Sequence, residues 1–202
     1  MPRAAPRAVR MTLIDTAAAM LAAREPVTLR ALATRSGTTT MAVYTHFDGM
    51  PGLWRAVRQE GFVRLAARLD AIGESDDPVA DLAALSSGYQ AAALSAPDLY
   101  RAMFDAAADL DDPAVADHGF ALLVTATARA VTAHRLDGTT DPGSLATQLW
   151  AAGHGLAMLA VTGVLPPAAI PAPAVELVIA VCTAAGDEPA RCRRSVTAGW
   201  NR

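Results

Sequence analysis

TLRALATRSGTTTMAVYTHFDGMPGL, residues 28 to 53, reads as two short helices joined by a tight turn, with a third helix starting just after. Leu29, Leu32 and Ala33 share one face of the first helix. Gly37 follows, where a residue free to take positive φ ends a helix without a Cβ clash. Thr38 or Thr39 then offers a hydroxyl to the open amides of the next helix. Val43 and Phe47 are four apart and point back into a core. That leaves Thr39, Thr40, Met41, Tyr44 and Thr45 on the outer face. A short helix with hydroxyls, an aromatic and few acids outside, set after a helix and a three- to four-residue turn, is the pattern of a helix-turn-helix.

The block A-x-x-x-G-T-T-x-x-x-V-Y-x-H-F from Ala33 to Phe47, with Ala17-Ala18-x-x-Leu21 before it, resembles the DNA-binding domain of TetR-family transcriptional regulators. The resemblance covers about the first third of the chain, and Val43-Tyr44-x-His46-Phe47 is its most specific part. It implies that Tyr44 and His46 lie on the DNA side. Hydroxyls of Thr38, Thr39, Thr40 and Thr45 would read base edges or phosphates, and methyls of threonine or Met41 would touch thymine. It also implies that Thr28 and Arg30 meet the DNA backbone, where a helix N-terminus favours an anion. One position departs from the family. A lysine that contacts phosphate usually stands three residues after the phenylalanine, and here that position is Met50. Each phosphate contact is worth about one unit of log salt slope, so the loss weakens the backbone grip and leaves the fold intact. Arg55 and Arg58 are the nearby candidates to compensate.

Charge is distributed in keeping with that head. The net charge is -3 and every one of the 17 basic residues is arginine. Residues 1–70 hold ten arginines against five acids, and residues 71–202 hold seven against fifteen. A basic head on an acidic body is the footprint of a domain that meets nucleic acid while the rest stays away. Apolar residues make up 52% of the chain, dominated by alanine, which favours helix over sheet. Cys182 and Cys192, ten apart, make neither a disulfide framework nor a metal site. The start, MPRAAPRAVR, lacks the apolar run of a signal peptide, so a cytoplasmic protein is expected.

Along the chain, residues 1–9 read as a polar arm, with Arg3 and Arg7 open to a role on DNA. Helix one is expected from about Arg10 to Ala23. Helix four follows Asp48-Gly49-Met50-Pro51 and runs through Leu69. Glu74-Ser75-Asp76-Asp77-Pro78 reads as the domain boundary. Five further helical stretches follow: about Val79–Leu94, Pro97–Ala107, Pro113–Leu136, Pro142–Val164 and Pro173–Ala185. Arg191–Arg202 gives no clear pattern. The expected domains are therefore 1–50, the arm and helix-turn-helix; 51–74, a connecting helix; and 75–202, for effector binding and dimerisation.

No charged residue falls between Ser144 and Val175. Residues 145–165 are long enough for a membrane span, but Gln148, His154 and threonines interrupt them and no basic flank orients them. A helix apolar on all sides is otherwise buried in a core or an oligomer interface. In TetR-like proteins the last two long helices pack on the same pair of a second subunit, so the resemblance implies a homodimer built here.

Within that stretch, Trp150 to Gly155 resembles the W-x-x-x-H-G signature of one TetR C-terminal domain type. Trp150 and His154 share a helix face. His154 either satisfies a core hydrogen bond or touches a ligand. Tyr89, Tyr100, Met103, Phe104, Phe120, Trp150 and Met158 lie on different expected helices and are candidates to converge on one effector cavity. Tyr89 and His154 would supply its polar contacts. For each residue alone, core filling is the competing reading. No catalytic set is visible: His46, His118, His134 and His154 are scattered, and no serine or cysteine sits in a nucleophile elbow. Asp109, Asp111 and Asp112 lack the pattern of a calcium loop and read as a solvated turn. No cofactor or metal is expected.

The sequence thus points to an all-α, homodimeric regulator with an N-terminal three-helix head and a C-terminal helical bundle. It is expected to repress from a palindromic double-stranded operator and to be released by a small, mainly apolar effector that changes the head spacing. The rivals are an enzyme on a helical bundle and a ligand-independent DNA-binding protein.

Overall fold

Pro6 opens the first helix, where a missing amide is harmless because helix-start amides have no partner anyway. This α1 runs Pro6–Ala22, so helix begins ahead of the Arg10 expected, within what was read as the arm. The computed structural model describes residues 6–104 and 110–202. The rest of the arm, Arg3 included, lies outside the described residues, as do Asp109 and the end of the stretch expected to reach Ala107.

The described elements are all helical, with no strand among them: α2 Leu29–Ser36, α3 Thr40–Phe47, α4 Met50–Asp70, α5 Pro78–Ser95, α6 Pro97–Met103, α7 Ala114–Thr132, α8 Pro142–Val161, a 3₁₀ turn Pro167–Ala169, α9 Pro171–Ala184 and α10 Pro189–Trp200. Six of these ten helices begin on proline; the expected starts at Pro97 and Pro142 coincide with these, whereas α1 and α9 begin ahead of the expected Arg10 and Pro173. The tail is the clearest departure. It forms α10, capped by the Glu188 carboxylate, which accepts from the Ala190 and Arg191 amides at 2.8 and 2.7 Å.

Two compact units divide the chain: residues 1–64 with 95–116, and residues 65–94 with 117–202. The division falls inside α4, and α6 belongs with the head; the acidic stretch 74–78, read as a boundary, lies within the second unit. The first unit is built on one core: Leu13, Ile14, Ala17 and Met20 of α1 meet Leu32 of α2, Val43 and Phe47 of α3, and Leu53, Ala56 and Val57 of α4. Each large apolar side chain buried this way stabilises by about 1.5–3 kcal/mol.

In the second unit a polar network holds the helix ends. Asp77 caps α5, its Oδ1 accepting from Val79 N at 3.0 Å and Ala80 N at 3.2 Å. Arg135 binds Asp77 at 2.6 Å and Asp187 at 2.8 Å, with Asp187 fully buried. Asp81, nearly as buried, takes Arg129 at 2.7 Å and Arg202 at 2.6 Å. Burial pushes the Asp77 carboxyl up, but the Ser195 hydroxyl, the Ala80 amide and the Arg135 guanidinium hold it below the ordinary carboxylate value. Asp81 is likewise held low against its burial, by Ser75, Arg202 and Arg129. Several donors and a cation around a carboxylate favour its ionised form over the protonated one.

Candidate functional site

The helix-turn-helix is assembled from local chemistry. Thr28 is extended and its hydroxyl accepts from Ala31 N at 3.2 Å, starting α2. Gly37, at φ 65°, ends it, and the Gly37 amide turns back to α2 carbonyls. A Cβ in that conformation would be strained. Thr39, not Thr38, is the next cap: its hydroxyl accepts from Ala42 N at 3.2 Å. Thr38 instead shares a 2.8 Å hydrogen bond with Ser36 inside the turn. α3 stops at Asp48, at φ 56°, and α4 begins almost at once. Gly52 makes that close return possible, since a Cβ there would stand 1.8 Å from the Phe47 carbonyl oxygen.

With Val43 and Phe47 buried and Ala42 packed on the core, Thr40, Met41, Tyr44 and Thr45 of α3 face out. Met41 is 68% exposed and Tyr44 52%. Thr39, Thr40 and Thr45 are exposed, with the Thr45 hydroxyl donating to the Met41 carbonyl at 3.0 Å. Thr28 and Arg30, at the start of α2, are exposed as well. His46 is half-buried, its ring edge-on to Phe47 at 6.3 Å between centroids. Met50 is half-buried and packs on the head core, so it is part of the fold. Arg58 is committed through Nε to the Ala102 carbonyl at 2.9 Å, which ties α4 to α6. The sequence reading missed Arg10, whose guanidinium lies 5.3 Å from the Phe47 ring centroid. That distance is within cation–π range and braces the end of α3 from α1.

The effector candidates fall in both units. Tyr100, Met103 and Phe104 belong to the first. There Phe104 packs on Tyr100 at 4.9 Å and edge-on to Phe62 at 5.4 Å between centroids. Tyr89, Phe120, Trp150, His154 and Met158 belong to the second. Here the structure builds one chain of rings. Tyr89 Oη and His154 Nδ1 share a 3.1 Å hydrogen bond. The His154 imidazole stacks on Trp150 at 5.7 Å, and Trp150 meets Phe120 edge-on at 6.4 Å. Burial pulls His154 below the ordinary histidine value, so the ring is neutral at neutral pH and both donates and accepts. Met158 is half-buried one turn on from His154.

One polar residue escaped the sequence reading. Gln90, 4% exposed, donates through Nε2 to the Gly153 carbonyl at 2.7 Å, and its buried Oε1 has no partner among the described residues. Its signal was a lone glutamine before the apolar run AAAL. Tyr89 and Gln90, adjacent on α5, thus both reach α8. No group of three or more metal-ligating side chains occurs among the described residues.

Residues 82–191 match the family described as "Tetracyclin repressor-like, C-terminal domain". An uncharacterised helix-turn-helix-type transcriptional regulator of Mycobacterium tuberculosis is 32% identical over 146 residues, 70% of this chain. The match spans 64% of that relative's length. Among solved structures, a protein of unknown function from Rhodococcus sp. RHA1 has 27% identity and a TM-score of 0.70, over 87% of this chain and 92% of that one. The structure of RolR with the ligand resorcinol has 15% identity and a TM-score of 0.63, over 95% and 94% of the two chains, which shows likeness of fold.

Proposed function

Because the chain belongs to the TetR family of transcriptional regulators, we propose that it is a cytoplasmic, homodimeric repressor that binds a palindromic double-stranded operator and leaves it when a small, mainly apolar effector binds. The observation that carries the reading is the outer face of α3. Thr39, Thr40, Met41, Tyr44 and Thr45 are exposed together, while Val43 and Phe47 fix the helix from behind. Side chains presented on a braced helix after a turn suit the major groove.

Dimerisation is supported by α8 and α9. Leu159, on the stretch without charge from Ser144 to Val175, and Leu177, just past it beyond Glu176, are each 38% exposed. Residues 167–184 are long and apolar enough to cross a membrane by length and composition, and only 28% of them are buried in the protomer. The 3₁₀ turn breaks them, however, and α9 itself has 14 residues, about 21 Å of helix. That falls short of the roughly 30 Å of a bilayer core. A second copy covers such a face at less cost than lipid.

The effector reading rests on this chain's own rings around His154, with an aromatic wall and a neutral imidazole beside the Tyr89 phenol. That a protein of the same fold is known with resorcinol agrees with a small aromatic ligand. The test is binding of the purified protein to a duplex from its own upstream region and to random duplex of equal length. Specific binding should be tighter by about 10³-fold or more at one salt concentration. Equal affinity for both would leave only a non-specific DNA binder, and substrate turnover without either would favour an enzyme.

A further inference from the structure

Gln90 of α5 is buried, and its side-chain amide is only half used. Nε2 donates to the Gly153 carbonyl of α8 at 2.7 Å, while the buried Oε1 accepts from no donor among the described residues. An acceptor taken out of water and left without a partner weakens a fold, so buried amides rarely stay that way. Gln90 lines a slot at the seam of α5, α8, α9 and α10, all within the second unit. Ser86, one turn before Gln90, lines it too, but its hydroxyl is committed to the Leu82 carbonyl at 2.8 Å. The inner slot measures about 10 Å³, room for one water-sized group. Its other walls are mainly apolar, among them Leu149 and Leu156 of α8, Leu177 and Val178 of α9, and Trp200 at the end of α10. Leu149 and Val178 are buried, whereas Leu156, Leu177 and Trp200 keep part of their surface open.

We propose that this slot binds a small neutral alcohol, whose hydroxyl enters the inner end and donates to Gln90 Oε1 while its alkyl chain lies on the lip of Leu156, Leu177 and Trp200. Three features set that class. The open group on Gln90 is an acceptor, so the ligand must donate. None of the residues that line the slot is charged, so an ammonium or carboxylate would lose its hydration with nothing to replace it. The inner space admits one oxygen, which excludes a ring there and favours an unbranched chain. The site is separate from the ring chain around His154 and rests on neither the DNA-binding nor the effector proposal. Leu177 also borders the face offered to a second copy, so in a dimer the alkyl chain lies beside that interface.

The experiment titrates the protein with n-butanol and with methyl propyl ether, isomers of which only the alcohol has a hydrogen-bond donor. Trp54 and Trp150 are changed to Phe so that Trp200, at the lip, reports alone. The alcohol should shift Trp200 emission in a saturable way at millimolar concentration. The ether should bind about tenfold more weakly, the effect of one hydrogen bond. Gln90→Leu should bring both compounds to the same weaker affinity. Leu156→Phe, which narrows the lip and leaves the amide in place, should weaken both. Equal affinity for alcohol and ether with Gln90 intact would overturn the proposal, and that comparison needs no folded Gln90 variant. So would the lack of any saturable shift, the behaviour of a slot that takes only water. An alcohol preference that survives Gln90→Leu, or binding undiminished by Leu156→Phe, would overturn it as well.

Discussion

Arg135 grips Asp187 through two parallel hydrogen bonds, Nε to Oδ1 at 3.1 Å and a terminal nitrogen to Oδ2 at 2.8 Å, and Asp187 has no exposed side-chain surface. Removing either partner breaks that buried pair and leaves the other with a single remaining ion pair, Arg135 with Asp77 or Asp187 with Arg191. Arg135→Ala and Asp187→Ala should each destabilise, by less than the about 3–5 kcal/mol of a buried charge left with no partner. The double variant should cost less than the two single effects summed, because both single changes remove the same pair of hydrogen bonds. Chemical denaturation of all four proteins measures this. Additive single effects would mean that the pair is not coupled.

Acid should undo the same network. Asp77 and Asp81 ionise more readily folded than unfolded, so their contribution is complete above the unfolded value of about 3.9 and disappears as pH falls through the lower folded values. Urea midpoints taken from pH 6 to pH 3 should fall steeply below about pH 4 in the wild type. Asp81→Asn should start less stable at pH 7, with Arg129 and Arg202 left facing an amide, and show a shallower fall. Equal slopes in the two proteins would remove Asp81 from the acid response.

These two relationships also mark the limit of what the sequence showed. The turn around Gly37 was legible because its parts are local: a glycine, a capping threonine, and Val43 and Phe47 four apart. Arg135 and Asp187 are 52 residues apart, and nothing local announces their pairing. Asp77 looked like linker because a buried, donor-rich carboxylate and a solvated one share the same letter. α10 was missed because it buries Cys192, Ser195, Val196 and Gly199, small or polar residues that carry little apolar periodicity. The Tyr89–His154 bond spans 65 residues, so the sequence could nominate both without joining them.

On DNA, Tyr44→Ala and Thr40→Ala should each weaken operator binding by about 1–3 kcal/mol at fixed salt while thermal stability holds. Leu32→Ala is the contrasting variant. Leu32 has no exposed surface, and its truncation should cost about 2–5 kcal/mol of head stability. Fluorescence anisotropy on a labelled duplex separates the two classes. If the Tyr44 and Thr40 variants bind like wild type, α3 does not read the operator.

Assembly is best probed where the protomer is open. Leu159 on α8 and Leu177 on α9 are part-exposed, whereas Val178 is 4% exposed and a charge there would damage the protomer itself. Leu177→Glu should yield a folded monomer, or insoluble protein if the bare face associates at random. The wild-type interface should total about 1,200–2,000 Å² or more. Sedimentation equilibrium at micromolar concentration decides, and a monomeric wild type would sink the dimer reading.

The last prediction concerns the ring chain of the second unit. Trp150 is 38% exposed, stacked on His154 and edge-on to Phe120, so its emission should respond to any ligand that enters there. Trp54 and Trp200 must first be changed to Phe so that Trp150 reports alone. Planar aromatic compounds with one hydroxyl should quench or shift its emission, because His154 and Tyr89 exchange their mutual bond for one to the ligand. The same compounds should lower operator affinity by roughly 5–150-fold, the usual span of coupling between two sites. Affinity for the compound should fall on acidification, at a pH below the ordinary histidine value, since burial lowers His154 and a protonated ring no longer accepts a hydrogen bond. His154→Gln, which keeps a donor and an acceptor but does not titrate in that range, should lose the pH dependence and retain part of the affinity. Release of DNA without any change in Trp150 emission, or an undiminished response in a Trp150→Ala, His154→Ala variant, would move the effector to another part of the molecule.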